Sequence, residues 1–175
     1  MPFWLSMLAL ASGPRFIEAR VSIHSPCKPK KIFEVIWKQE DYDQFVPYTK
    51  KNRILKDAPT ERVVYSQLSL PIVKDRDFTV RIRSENDEQS GLYLVLSEGA
   101  DKDGPPESPS YVRIRATKAS WTLEPTSDGG ADVTYVVGSE TGGILPQWIQ
   151  STAQRDAAKN FVAAILARNG CSPKQ

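Results

Sequence analysis

The chain has 175 residues, 40% of them hydrophobic and 25% charged, with a mean hydropathy of −0.40, a globular composition long enough to bury a core without a metal or disulfide staple. Lys+Arg 23 against Asp+Glu 21 leaves a net charge of +2, too balanced for a nucleic-acid-binding surface, and no run approaches the roughly 18 apolar residues of a membrane span. One histidine, His24, and two distant cysteines, Cys27 and Cys171, exclude a His/Cys metal cage and a histidine-rich acid–base site, so neither metal nor cofactor is expected.

Residues 1–16 are an apolar opening segment, Phe3-Trp4-Leu5-Ser6-Met7-Leu8-Ala9-Leu10-Ala11, with an Ala-x-Ala spacing. It reads either as the remnant of an export signal or as a segment docked on the domain. No Lys or Arg precedes the apolar run, which favours a cytoplasmic protein over a periplasmic or secreted one. Residues 17–24 alternate apolar and polar strictly, the pattern of a half-buried strand. Pro29 then suits the first turn of a helix whose apolar face is Ile32, Phe33, Ile36 and Trp37 and which fades near Asp43. Strand-length runs follow at 51–56, 62–70, 77–84 and 92–98. Residues 99–110, GADKDGPPESPS, form a long loop. Two further strands, 111–123 and 131–140, flank a turn at Pro125-Thr126-Ser127-Asp128-Gly129-Gly130. Gly142-Gly143 breaks the sheet, and 146–168 reads as one long helix stopped at Gly170. Cys27 and Cys171 are expected as free buried thiols, because nothing in the sequence brings them together.

Consecutive strands with helices near the two ends of the chain make an α+β domain, and so many strands enclose a core with one long helix only if the sheet curves around it. On that helix Ile149, Ala153, Ala157, Phe161 and Ile165 recur at steps of four, an expected sheet-facing stripe. Its two central alanines either admit the sheet closely or leave an apolar cavity. On the strands Phe78, Val80 and Ile82 share a face, as do Leu92, Leu94 and Leu96, and Val133, Tyr135 and Val137. Tyr65, Tyr93 and Tyr135 carry hydroxyls suited to a ligand's polar end if they point inward. Arg76-Asp77 reads as a structural clasp rather than a catalytic pair, since a guanidinium lowers the proton affinity of a neighbouring carboxylate.

Two stretches resemble the START family, the steroidogenic acute regulatory protein-related lipid-transfer domains of the helix-grip superfamily. The first is Lys74-Asp75-Arg76-Asp77-Phe78-Thr79-Val80. The second runs from Tyr111-Val112-Arg113 through Trp121-Thr122-Leu123-Glu124-Pro125 and Asp132-Val133-Thr134-Tyr135 to Gly142-Gly143-Ile144-Leu145-Pro146-Gln147-Trp148-Ile149. Their order is closest to that of the compact bacterial members. The resemblance implies a helix-grip fold over 17–170, followed by a tail at 171–175. The helix that normally precedes the first strand is short or absent here, implying a more open tunnel end. One lipid or sterol-like ligand is expected in an internal tunnel, gated at a membrane surface by the last helix and the 99–110 loop. Strand faces, helix stripe and resemblance together mark Tyr65, Phe78, Val80, Leu94, Tyr135, Trp148, Ile149, Ala153, Ala157 and Phe161 as its lining. The expected function is therefore non-enzymatic lipid binding and transfer. The alternative is a polyketide cyclase/aromatase-like enzyme using Tyr65, Tyr135 or Glu98 as general acid.

Overall fold

Alternation of apolar and polar residues, which a strand turns into two unlike faces, produces most of this structure. The computed structural model describes the backbone of residues 16–140 and 147–173 and the side chains of 17–140 and 152–173. In chain order it contains β1 (Phe16–Ser25), α1 (Pro29–Trp37), a 3₁₀ turn (Gln39–Asp41) leading into α2 (Tyr42–Phe45), β2 (Thr49–Asp57), β3 (Glu61–Leu68), β4 (Arg76–Asp87), β5 (Leu92–Gly99), β6 (Val112–Arg113), β7 (Thr117–Pro125), β8 (Ala131–Glu140) and α3 (Gln147–Arg168). A further 3₁₀ turn, Asp101–Asp103, lies between β5 and β6. The sheet runs β1-β8-β7-β5-β4-β3-β2, antiparallel throughout, with β6 parallel to β4 off this path. The expected α+β helix-grip architecture is present. The expected single strand at 111–123 is instead two pieces. β5 pairs only with Val80 to Asp87 of β4, leaving Arg76 and Asp77 for Val112 and Arg113 of β6, after which the chain crosses to β5 and β8 as β7.

One face of the sheet is the core. Ala19, Val64, Val80, Ile82, Val95, Trp121, Leu123, Val133 and Tyr135 pack there against Ile32, Val35 and Ile36 of α1 and Ala158, Val162, Ile165 and Leu166 of α3. The helix stripe is therefore displaced from the expected one. Ile165 is buried and Phe161 half-buried, but Ala153 and Ala157 are exposed, and Ala158 and Val162 take the central positions. A strict step of four advances about 400° around a helix, so the row drifts about 40° per step and leaves the sheet-facing side. A straight stripe mixes steps of three and four, as Ala158, Phe161, Val162 and Ile165 do.

α3 ends where Gly170 takes φ +65° and the Cys171 amide donates to the Leu166 carbonyl at 2.7 Å. Cys171 is not free: it is bonded to Cys27, with Cα atoms 5.3 Å apart. The expectation of two thiols fails because the end of β1 and the end of α3 meet at one end of the sheet, a juxtaposition no local pattern records. Ser25 Oγ also donates to the Cys171 carbonyl at 2.6 Å, so Cys171 belongs to the packed domain rather than to a tail.

The opposite, convex face carries a clasp. Arg113 donates in a fork to Asp77 at 2.8 and 2.9 Å, and reaches Asp101 at 2.7 Å and the Pro105 carbonyl at 3.1 Å. The Tyr65 hydroxyl donates to the same Asp77 carboxylate at 2.8 Å. Asp77 is thus a clasp, as expected, but its partner is Arg113; Arg76, one residue away, points to the other face. The 99–110 loop is held down by this network and by Asp103, which pairs with Arg81 at 2.7 Å and Lys56 at 3.0 Å. A Cβ at Gly104 would lie 2.0 Å from Thr79 Oγ1, so only glycine lets the loop press on β4 here.

Burial pushes the Asp77 carboxyl up, but hydrogen bonds from Arg113 and Tyr65 outweigh it and hold the group below the usual carboxylate range. Its stabilisation is accordingly complete above the ordinary carboxylate pKa and disappears as pH falls through the lowered one. Asp77→Asn takes the forked carboxylate from the buried Arg113, leaving it only the half-exposed Asp101, and should cost about 3–5 kcal/mol in urea denaturation at neutral pH. Replacing both cysteines by serine opens a loop spanning nearly the whole domain and should lower stability by up to roughly 5 kcal/mol in the same measurement.

Candidate functional site

Burial along the concave face is uneven. Near the end of β1, where Ala131, Leu123 and Val133 meet Ile165 and Leu166, every one of these side chains is at most 1% exposed. Trp121, Tyr135 and Phe161 continue the packing as an aromatic group, with ring centroids 4.4 to 5.5 Å apart. Toward the other end, where β3 finishes at Leu68 and β4 starts at Arg76, Leu68, Phe78, Ala119 and Val137 are only half-buried, interspersed with the buried Val64, Ser66, Arg76 and Val80. The first half of α3 begins at this end, and its exposed Ala153 and Ala157 do not cover the sheet. Among the described side chains, Ser139 Oγ donates to Gln154 Oε1 at 3.4 Å, joining sheet and helix there. The incompletely covered concave surface beneath the start of α3 is the candidate site.

Of the expected lining residues, Phe78, Val80, Tyr135 and Phe161 lie on the concave side. Tyr65 and Leu94 do not. Tyr65 pairs across the sheet with Thr79 on the convex face, and Leu94 pairs with Glu85 and Thr122 on that same face. The apolar row Leu92, Leu94, Leu96 looks like core because it is the more hydrophobic row of β5. The register nevertheless turns Tyr93, Val95 and Ser97 inward, and Val95 is the buried residue. Trp148 and Ile149 fall outside the described side chains. Ala153 and Ala157 stand away from the sheet, as the helical drift requires.

The structure adds members that were not singled out. Ala119 and Val137 face each other across β7 and β8, and Ser66 lies opposite Phe78. Asn52 donates through Nδ2 to the Gln39 carbonyl at 2.9 Å, while its buried Oδ1 has no partner among the described residues. Arg76 is 6% exposed on the Phe78 face of β4, and burial pulls its guanidinium down from its ordinary pKa. A two-residue step back from Phe78 would have found it. The Tyr135 hydroxyl is pushed well above the usual tyrosine range by burial. Tyr42 is shifted the same way, by burial first and then by Tyr135 and Glu40, and it donates to the Ile36 carbonyl at 2.7 Å. A separate groove of 340 Å³ lies mainly on the convex face, lined by Arg81, Arg83, Leu96, Glu98 and Lys118 among others. Its arginines are paired with Glu61 and Glu98, at 2.8 to 3.7 Å.

Comparison with known proteins fits this geometry. The model of the START domain matches residues 10–169. An uncharacterized protein of Pseudomonas aeruginosa is 28% identical over 114 residues, which are 65% of this chain; the match spans 55% of that protein's length. The STAR-related lipid transfer protein of Xanthomonas axonopodis superposes with a TM-score of 0.79 at 24% identity, covering 93% of this chain and 90% of the other. An aromatase/cyclase from Streptomyces sp. R1128 superposes with a TM-score of 0.53 at 11% identity, covering 89% and 87%. With a curved antiparallel sheet gripping a C-terminal helix and a family match over nearly its whole length, this chain belongs to the START domain family.

Proposed function

We propose that the protein is a non-enzymatic lipid carrier that holds one apolar tail between the concave sheet face and the first half of α3. The observation that carries this reading is the graded burial of that face, solid at the Leu123–Val133 end and half-open at Leu68, Phe78, Ala119 and Val137. Apolar side chains left half-covered by their own helix gain from a hydrocarbon guest, at about 0.8 kcal/mol per CH₂ removed from water and without directional contacts. The START match and the likeness to a lipid transfer protein support the same reading.

The gate is α3, whose C-terminal end is bolted by Cys27–Cys171 and whose beginning covers the site. The 99–110 loop is too firmly clasped to the convex face to share that role. The loop at 69–75 is the better candidate for membrane contact. It joins β3 to β4 at the open end of the site, and Ile72 at its tip is fully exposed with φ +71°. At the open end of the site, this side chain gains about 0.8 kcal/mol per CH₂ on entering the apolar border of a bilayer. No helix among the described residues is long and apolar enough to cross a membrane. The disulfide favours an oxidising compartment over the cytoplasm.

The cyclase reading draws on the fold likeness to the aromatase/cyclase and on Tyr135 in the concave face. Burial makes Tyr135 hold its proton more tightly, which opposes a general acid. The other proposed acids, Tyr65 and Glu98, point to the convex side.

In a fluorescent-lipid assay with phospholipid vesicles, Ala119→Trp should fill the half-open face and weaken equilibrium uptake at least about tenfold. Normal uptake by this variant would place the ligand elsewhere. Ile72→Asp should slow transfer between vesicles more than it weakens binding, whereas equal transfer rates would remove the loop from membrane contact.

A further inference from the structure

The sheet places one cation in the candidate site without giving it a counter-charge. Residues alternate faces along β4, so Arg76 shares the concave side with Phe78 and Val80 while Asp77 goes to the convex clasp. Arg76 is 6% exposed, and its one hydrogen bond among the described residues is from Nη1 to the Lys74 carbonyl. Its neighbouring carboxylates are engaged elsewhere: Asp75 with Lys50 at 3.0 Å and Asp77 with Arg113. Neither 1–15 nor 141–151 contains an Asp or Glu, so no acidic side chain from those segments can neutralise it. A guanidinium has five N–H donors in a planar fork, and burying it unpaired is costly. A charge kept in such a place is explained by a guest that supplies the anion.

Resting on the carrier reading above, we infer that the ligand is an amphiphile with an anionic head group, carboxylate or phosphate, which pairs with the Arg76 guanidinium at the rim of the concave face while its tail runs over Phe78 toward Ala119 and Val137. Leu68, directly across from Arg76, and Ser66, across from Phe78, border the same place. The head group thus lies at the mouth, beside the exposed 69–75 loop, and the tail enters first.

The test compares two anionic probes with their neutral counterparts on the intact protein: oleate with oleyl alcohol, and dioleoylphosphatidylglycerol with dioleoylglycerol. Wild type should prefer at least one anion over its counterpart by roughly tenfold to a hundredfold, the range for a hydrogen bond to a charged group. The preferred anion identifies the head group as carboxylate or phosphate. In Arg76→Gln the paired affinities should converge, and Arg76→Lys should restore part of the difference. The ligand-free Arg76→Gln protein should melt no lower than wild type, because the replacement removes an unpaired buried charge. Equal wild-type affinities for both members of each pair overturn the head-group assignment and leave the carrier reading standing. Persistence of the preference in Arg76→Gln overturns the part given to Arg76. A lower melting temperature with the preference intact makes Arg76 a structural support for Lys74. Failure to bind any of the four probes overturns the carrier reading and the head-group assignment together.

Discussion

The fastening of the C-terminal end of α3 to the end of β1 is the constraint from which the rest follows. At its C-terminus, Ile165 and Leu166 are sunk in the core, Gly170 stops the helix, the Cys171 carbonyl accepts from Ser25, and a disulfide closes the joint. Nothing comparable holds the other end among the described side chains, where Gln154 meets Ser139 and the alanines of two successive turns face away. On the sheet face toward that half of the helix, Leu68, Phe78, Ala119 and Val137 are half-buried.

The sheet must stay rigid while the site is emptied and filled, and its convex side shows how. Asp77 and Arg113 are both buried, forked together and tied to Tyr65, Asp101 and the carbonyls of Pro105 and Pro106. This network pins a dozen residues of irregular chain across the outside of β4. A loop of that length looks like a lid in the sequence, yet its acidic residues are spent on ion pairs. Stiffness sits on the convex face and openness on the concave one.

The architecture was legible because alternation and helical periodicity are local signals. The strand at 131–140 and the stop at Gly170 are where local chemistry puts them. The site was less legible because it depends on which face of each strand turns inward. For β5 the more apolar row, Leu92-Leu94-Leu96, lies outside, and register with β4 decides this rather than hydrophobicity. On α3 a strict four-residue step traces a spiral around the helix, whereas the buried row follows mixed steps of three and four. The cysteine pair and the Asp77–Arg113 fork join residues far apart in the chain, and no spacing reveals them. Arg76-Asp77 shows the difficulty in two residues. Read as a dipeptide it is an ion pair; folded into a strand, its members are on opposite sides of the sheet.

That separation bears on how such a site discriminates. A purely apolar trough ranks ligands by length alone, since each methylene contributes a similar increment. A desolvated guanidinium at its mouth changes the ranking by penalty as well as by attraction. A neutral lipid that covers Arg76 removes the little water left to it and returns nothing, whereas an anion replaces that water with charge-assisted bonds. Selectivity for the head group then comes from what the pocket rejects, while the tail supplies the bulk of the affinity. The two demands are met by different atoms on adjacent residues of one strand face, Arg76 at the rim and Phe78 inside it.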